Sequence, residues 1–135
     1  NNDWEKAIIF YRRCVELNPN SAWFHHSLGV AMAQTGCLYE AITCYRKAFS
    51  LQPHISEFHL NLGISLWQKE LEQEAIEYLD TAIKFNPKSA TAYQNLGEIF
   101  LKQQKWDEAI VAYENAFRLK PDLLKQHFNK SQMPK

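Results

Sequence analysis

The stretch FHLNLGISLW, residues 58–67, holds the pair Leu62-Gly63 near its centre. Upstream, WFHHSLGVAM (residues 23–32) holds Leu28-Gly29; downstream, AYQNLGEIFL (residues 92–101) holds Leu96-Gly97. The three glycines, Gly29, Gly63 and Gly97, are evenly spaced. Alanines keep the same step at Ala7, Ala41, Ala75 and Ala109, and prolines at Pro19, Pro53, Pro87 and Pro121. Three residue types held in fixed phase mark a repeat architecture rather than a single globular core.

Within each cycle the apolar residues fall at helical spacing. The first helix of the chain spans 3–17, with Trp4, Ala7, Ile8, Tyr11, Cys14 and Val15 in its apolar set. Asn18-Pro19 stops it, because a proline disfavours helical geometry in the residue before it. Ser21 is placed to cap the next helix, 22–34, which carries His25, Leu28, Gly29 and Met32 on one face. Thr35-Gly36 forms a turn in which Gly36 is free to adopt the left-handed conformation that closes helices. A partner helix over 38–51 then presents Ala41, Tyr45 and Ala48. The second cycle repeats this with helices over 56–68 and 72–85, His59, Leu62, Gly63 and Leu66 facing Ala75, Leu79 and Ala82. Its connection, Lys69-Glu70-Leu71, contains no glycine and is the less marked break. The third cycle places Tyr93, Leu96, Gly97 and Phe100 against Ala109, Tyr113 and Ala116. In the tail, Leu123, Leu124, His127 and Phe128 share one face of a short helix that frays beyond about residue 130.

The pattern has a steric cause. A glycine inside a helix is about 1 kcal/mol worse than alanine. Accepting that loss three times in phase implies that the missing side chain makes room for a neighbouring helix. A lone helix pair cannot bury its own apolar surface, so successive pairs stack.

Composition narrows the function. Fifteen basic residues balance fifteen acidic ones, which argues against a nucleic-acid footprint, and no basic amphipathic helix suggests a lipid surface. No apolar run approaches the roughly 20 residues that span a bilayer, and no signal peptide opens the chain. The start at Asn1 rather than Met suggests a fragment of a longer protein, expected in the cytoplasm. Cys14, Cys37 and Cys44 form no CxxC pair, so neither a disulfide framework nor a zinc site is expected. His25-His26 is read as one packing and one groove histidine, not as a metal site, because adjacent helical residues diverge. Trp4 and Trp106 are read as packing residues. No glycine-rich phosphate loop, Ser/His/Asp set or paired-carboxylate motif is present, so no enzyme activity, cofactor or metal is expected.

The order large residue, Leu-Gly, large residue, Ala, aromatic, Ala, Pro, completed once per period, resembles the tetratricopeptide repeat (TPR) family. It reads here as His25, Leu28-Gly29, Met32, Ala41, Tyr45, Ala48 and Pro53, with two further full copies. Residues 1–21 resemble the second helix of another copy, with Cys14 in place of the second alanine. His25 and His59 stand where the family usually has Trp, and Leu79 where an aromatic is common. The resemblance implies an all-α fold, a right-handed superhelical solenoid of antiparallel helix pairs. One array fills the chain: a partial repeat over 1–21, full repeats over 22–55, 56–89 and 90–123, and a capping helix and tail over 124–135.

The resemblance also implies a non-catalytic scaffold whose first helices line a concave groove for a peptide or partner helix. The groove positions fall on Trp23, His26, Ser27, Val30 and Gln34, then on Glu57, Leu60, Asn61, Ile64, Trp67 and Gln68. In the third repeat they fall on Thr91, Gln94, Asn95, Glu98, Leu101 and Lys102. Leu60, Ile64 and Trp67 form an apolar stripe separate from the packing face, extended by Trp23, Val30 and Leu101. Two readings fit it: a groove for a ligand, or a seam buried between neighbouring first helices. Asn61 and Asn95 share a repeat position at which related arrays on glycosyltransferases carry a backbone-binding asparagine ladder, here interrupted by Ser27. The chaperone-binding subclass carries a Lys/Asn/Arg clamp, but the matching sites include His26, Val30, Leu60 and Gln94. A rival role is the substrate-recognition arm of a larger bacterial glycosyl-, methyl- or sulfotransferase. The uncovered face of Ala7, Tyr11 and Cys14 also predicts self-association through the N-terminal half repeat. Partners are expected to be proteins or peptides, with neither nucleic acid nor membrane.

Overall fold

The computed structural model describes residues 2–123, which form seven helices. These are α1 (Asn2–Leu17), α2 (Ala22–Gln34), α3 (Leu38–Leu51), α4 (Ser56–Gln68), α5 (Glu72–Phe85), α6 (Ala90–Lys102) and α7 (Trp106–Leu119). No strand occurs among the described residues, and none of their helices is long and apolar enough to cross a membrane. The tail reading on Leu124, His127 and Phe128 lies outside the described residues; Leu123 is buried. Each helix packs on the one before and the one after it. Beyond these neighbours, the backbones of α2 and α4, and of α4 and α6, come close, whereas α3 and α5 meet through long side chains: Arg46 donates to the Tyr78 hydroxyl at 3.2 Å and pairs with Glu74 at 3.5 Å. The chain is therefore an all-α solenoid with α2, α4 and α6 as its inner row.

The glycines sit where the helices approach most closely. A methyl group on Gly63 would lie 2.9 Å from Leu79 Cγ. On Gly29 it would lie 2.7 Å from the Tyr45 ring, and on Gly97 2.9 Å from the Tyr113 ring. One large side chain of the partner helix thus fills each gap. Ala41, Ala48, Ala75, Ala82 and Ala116 are all fully buried at the same crossings. The core runs continuously from Leu28 and Met32 through Leu62, Leu66 and Leu79 to Leu96 and Ile99. A smaller cluster of Ala22, Ala48 and Phe58 lies beside it. Trp106 is 57% exposed and Trp4 36% exposed, so these two lie more at the surface than the packing role expected of them. Each stands in the first turn of its helix, at the edge of the contact with its neighbour.

All three turns within the helix pairs close alike. Gly36 adopts φ +84°, Glu70 +63° and Gln104 +61°. In each, the left-handed residue donates to the carbonyl three residues back: Gly36 to Ala33, Glu70 to Trp67, Gln104 to Leu101. The next residue donates across five: Cys37 to Met32, Leu71 to Leu66, Lys105 to Phe100. This is the Schellman closure, and it satisfies carbonyls that the helix end would otherwise leave open. The weak break at Lys69-Glu70-Leu71 is therefore a full helix stop built without glycine.

The turns between pairs use the histidines. His25 Nε2 lies 2.8 Å from the Pro19 carbonyl oxygen, and His59 Nε2 lies 2.8 Å from that of Pro53. A histidine in the usual tryptophan position thus fills the packing site and ties its helix to the preceding proline turn. Ser21 and Ser89 cap α2 and α6 by accepting from the Phe24 and Ala92 amides. At the matching point before α4 stands Ile55, which has no side-chain acceptor; Ser56 instead donates to the Ala82 carbonyl at 2.8 Å.

His26 joins successive inner helices. Its ring is only 4% exposed and contacts the rings of Phe58, Tyr45 and Trp23. Nε2 lies 3.2 Å from Glu57 Oε2 and 3.4 Å from Asn61 Nδ2, while Nδ1 is buried with no hydrogen-bond partner among the described residues. A neutral ring with its proton on Nε2 donates to Glu57. A second proton would bury an N–H with no acceptor. Burial accordingly holds the imidazole below its ordinary 6.5, and Glu57 opposes the shift only in part.

Three stability outcomes follow from these contacts. Gly63→Ala improves local helix propensity by about 1 kcal/mol but drives a methyl into Leu79, so urea unfolding should show a net loss of about 1–2 kcal/mol. Gln104→Gly relieves a left-handed residue on the surface and should raise stability by about 1 kcal/mol in the same assay. Because the folded state disfavours protonated His26, stability should be full above pH 6.5 and fall as pH drops below it. Unfolding curves at pH 7.5 and pH 5.5 should differ less for His26→Phe than for the parent; an equal difference would exclude this role for His26.

Candidate functional site

The inner row presents a face built from successive turns of α2, α4 and α6. Trp23 opens it, 45% exposed, with its ring edge-on to Phe58 at 4.8 Å. Val30, Leu60, Ile64 and Trp67 are half-buried and pack on the core cluster from above. Neighbouring helices cover one side of these residues and leave the other open. Leu101 continues it on α6 and is 44% exposed. His26, expected at the groove surface, is instead buried beneath Trp23 and Phe58. Its Nε2–H holds the Glu57 carboxylate, with the Asn61 side chain alongside.

Asn61 and Asn95 share a register but are used differently. The Asn61 side-chain nitrogen lies next to His26, whereas Asn95 turns back to donate to the Thr91 carbonyl at 2.8 Å. Gln94 and Asn95 are half-buried and Glu98 is exposed. Two cavities open on this face, and Asn61 lines both. The larger, about 470 Å³, lies between the start of α4 and the turn before α6, among Ile55, Ser56, Glu57, Leu60, Asn61, Asn86 and Ser89. The smaller, about 180 Å³, lies between α2 and α4. Val30, Ala33 and Ile64 wall it, Gln34, Gln68 and Asn61 bring amides, and Tyr45 and Ser65 bring hydroxyls. Burial raises the Tyr45 phenol well above its ordinary value, and a hydrogen bond with Ser65 opposes the shift. Sequence reasoning misses Asn86, Ser89, Tyr45 and Ser65 as site residues: Tyr45 matches a packing position, Asn86 and Ser89 match the helix-turn residues Asn18 and Ser21, and Ser65 occurs once in the pattern.

Charge on the face is mostly engaged. Lys102 Nζ lies 3.4 Å from Glu72, 3.6 Å from Glu70 and 5.0 Å from the Trp67 ring centre. Gln103 donates to Glu72 at 3.1 Å, which with Lys102 holds that carboxyl below its ordinary range. Away from this face, a cavity of about 500 Å³ runs along α6 and α7, with Tyr93, Leu96, Phe100, Val111 and Ala112 as its apolar lining and Asp107, Glu108 and Asn115 beside them. No group of three or more His, Cys, Asp or Glu side chains capable of holding a metal occurs among the described residues. The three cysteines are unpaired.

Comparison with known proteins agrees with this architecture. Tetratricopeptide repeat family models match residues 10–43 and 90–123, and a model described as TPR repeat matches 73–104. No curated protein matches the chain at a comparable level. Among solved structures, the crystal structure of MamA is similar at 30% identity with a TM-score of 0.83, covering 89% of this chain and 70% of that one. PilF of Pseudomonas aeruginosa is similar at 26% identity and a TM-score of 0.81, covering 89% of this chain; the chain spans 55% of its length. The first TPR of Spaghetti (RPAP3), solved bound to the HSP90 peptide SRMEEVD, is similar at 25% identity and a TM-score of 0.73, over 75% of this chain and 80% of that one. The constant period, the glycine-seated helix pairs and these likenesses converge: the chain belongs to the tetratricopeptide repeat family and has the fold of a protein-interaction scaffold.

Proposed function

We propose that the face formed by α2, α4 and α6 docks an extended segment of a partner protein and performs no chemistry itself. The observation that carries this reading is the position of Asn61 between two adjacent cavities. A chain laid across it would place one side chain in the cavity beside Glu57 and another in the cavity between α2 and α4. The Asn61 amide both donates and accepts, which suits a peptide backbone passing over it. Leu60, Ile64 and Trp67 offer apolar surface along the same path. That the first TPR of Spaghetti (RPAP3) was solved with a bound peptide supports a peptide ligand.

The chemistry of that peptide should differ from the acidic SRMEEVD sequence. Lys102 is engaged by two carboxylates, and the carboxylates of Glu57 and Glu98 lie on the face. An acidic ligand would meet no uncommitted cation among the groove positions.

A displayed library of short random peptides, selected on the parent chain, tests the reading. Enriched peptides should bind Trp67→Ala/Leu60→Ala at least about thirtyfold more weakly, since an interfacial Trp commonly contributes ~2 kcal/mol or more. Circular dichroism should show the variant still helical. Peptides that bind both chains equally would place the ligand elsewhere.

A further inference from the structure

We infer that the cavity between α2 and α4 is a side-chain subsite selecting an uncharged hydrogen-bonding residue, Asn, Gln, Ser or Thr, in the bound segment. The inference rests on the docking face proposed above and names the chemistry of one of its positions.

The repeat supplies an internal comparison. One period after Tyr45 and Ser65 stand Leu79 and Ile99, both fully buried. At the α4–α6 interval this floor is therefore apolar. At the α2–α4 interval it carries two hydroxyls, each on a residue only 2% exposed. The tyrosine recurs one further period on, at Tyr113, so the distinguishing change is Ser65 where Ile99 follows; a buried serine where the same fold accepts isoleucine gives up apolar burial and requires a partner. Tyr45 and Ser65 bring their hydroxyls to the same cavity, and each hydroxyl can both donate and accept. The rim differs in the same sense. Gln34 and Gln68 are amides, whereas the next residue in that series, Lys102, is charged and held by carboxylates.

The route by which the phenol arrives is steric. Gly29 has no side chain, so the Tyr45 ring passes across α2 and carries its hydroxyl toward α4 and Ser65. The resulting cavity of about 180 Å³ would hold about six waters at ~30 Å³ each. That is room for one mid-sized side chain. No lining residue is formally charged. A lysine or glutamate entering would lose hydration without gaining a counter-charge. A leucine would cover amides and hydroxyls and leave them without water. A carboxamide or hydroxyl both donates and accepts and can replace the displaced water.

The test uses the same random peptide library on the full chain. Peptides enriched by the parent should show one position at which Asn, Gln, Ser or Thr is preferred roughly tenfold over aliphatic or charged residues. Gln68→Glu, an exposed substitution that leaves the core intact, should switch that position to Lys or Arg. Tyr45→Phe, which removes only the hydroxyl, should weaken the neutral preference. If both variants select the same residue classes as the parent, while Trp67→Ala/Leu60→Ala still loses the peptides, the docking face stands and the subsite is wrong. If the parent enriches nothing over the Trp67→Ala/Leu60→Ala chain, the docking face fails and the subsite with it.

Discussion

The absence of a side chain at Gly29, Gly63 and Gly97 is the constraint on which the rest of the structure depends. Each glycine admits a ring or leucine from the partner helix to a distance that any Cβ would forbid. The interior is close-packed, so this single contact sets the separation of the two helices. The buried alanines on the partner helices hold the same spacing along the crossing. Because the contact recurs once in every repeat, the same geometry is imposed three times, and a stack follows from it.

Stacking is controlled at a second level by polar contacts between units. The His25 and His59 rings reach the carbonyls of Pro19 and Pro53, fixing where each inner helix begins relative to the turn before it. Ser56 reaches the last turn of α5, and His26 reaches Glu57 on the next inner helix. These contacts are directional, whereas the apolar seam beneath them is not. They are well placed to select one rotation between neighbouring units from the range that apolar packing alone would tolerate.

The inner face is what remains once those demands are met. Leu60, Ile64 and Trp67 serve the packing between inner helices and the open surface together, which is why each is half-buried. The Tyr45–Ser65 floor, like the buried His26 beside it, departs from apolar packing. The repeat there changes chemistry without changing shape, and that contrast separates a structural position from a recognition position.

Sequence alone determined the helices and their pairing. The periodicity of glycine, alanine and proline encodes contacts between near neighbours, and those are steric and local. It located the bounds of α2 through α5 and the left-handed turn at Gly36, because each depends on residues within a turn or two. It did not reveal that Glu70 and Gln104 adopt the same left-handed conformation, since a Schellman closure formed by backbone bonds overrides the preference of the side chain. Only the tertiary structure decided how deep each side chain lies. His26 and Asn61 occupy neighbouring groove positions of successive repeats, yet one is buried and the other lies at the rim of two cavities. The physical reason is distance along the chain. Burial at the inner face is set by rings and carboxylates from the next repeat, such as Phe58 and Glu57 around His26, and no local pattern records them.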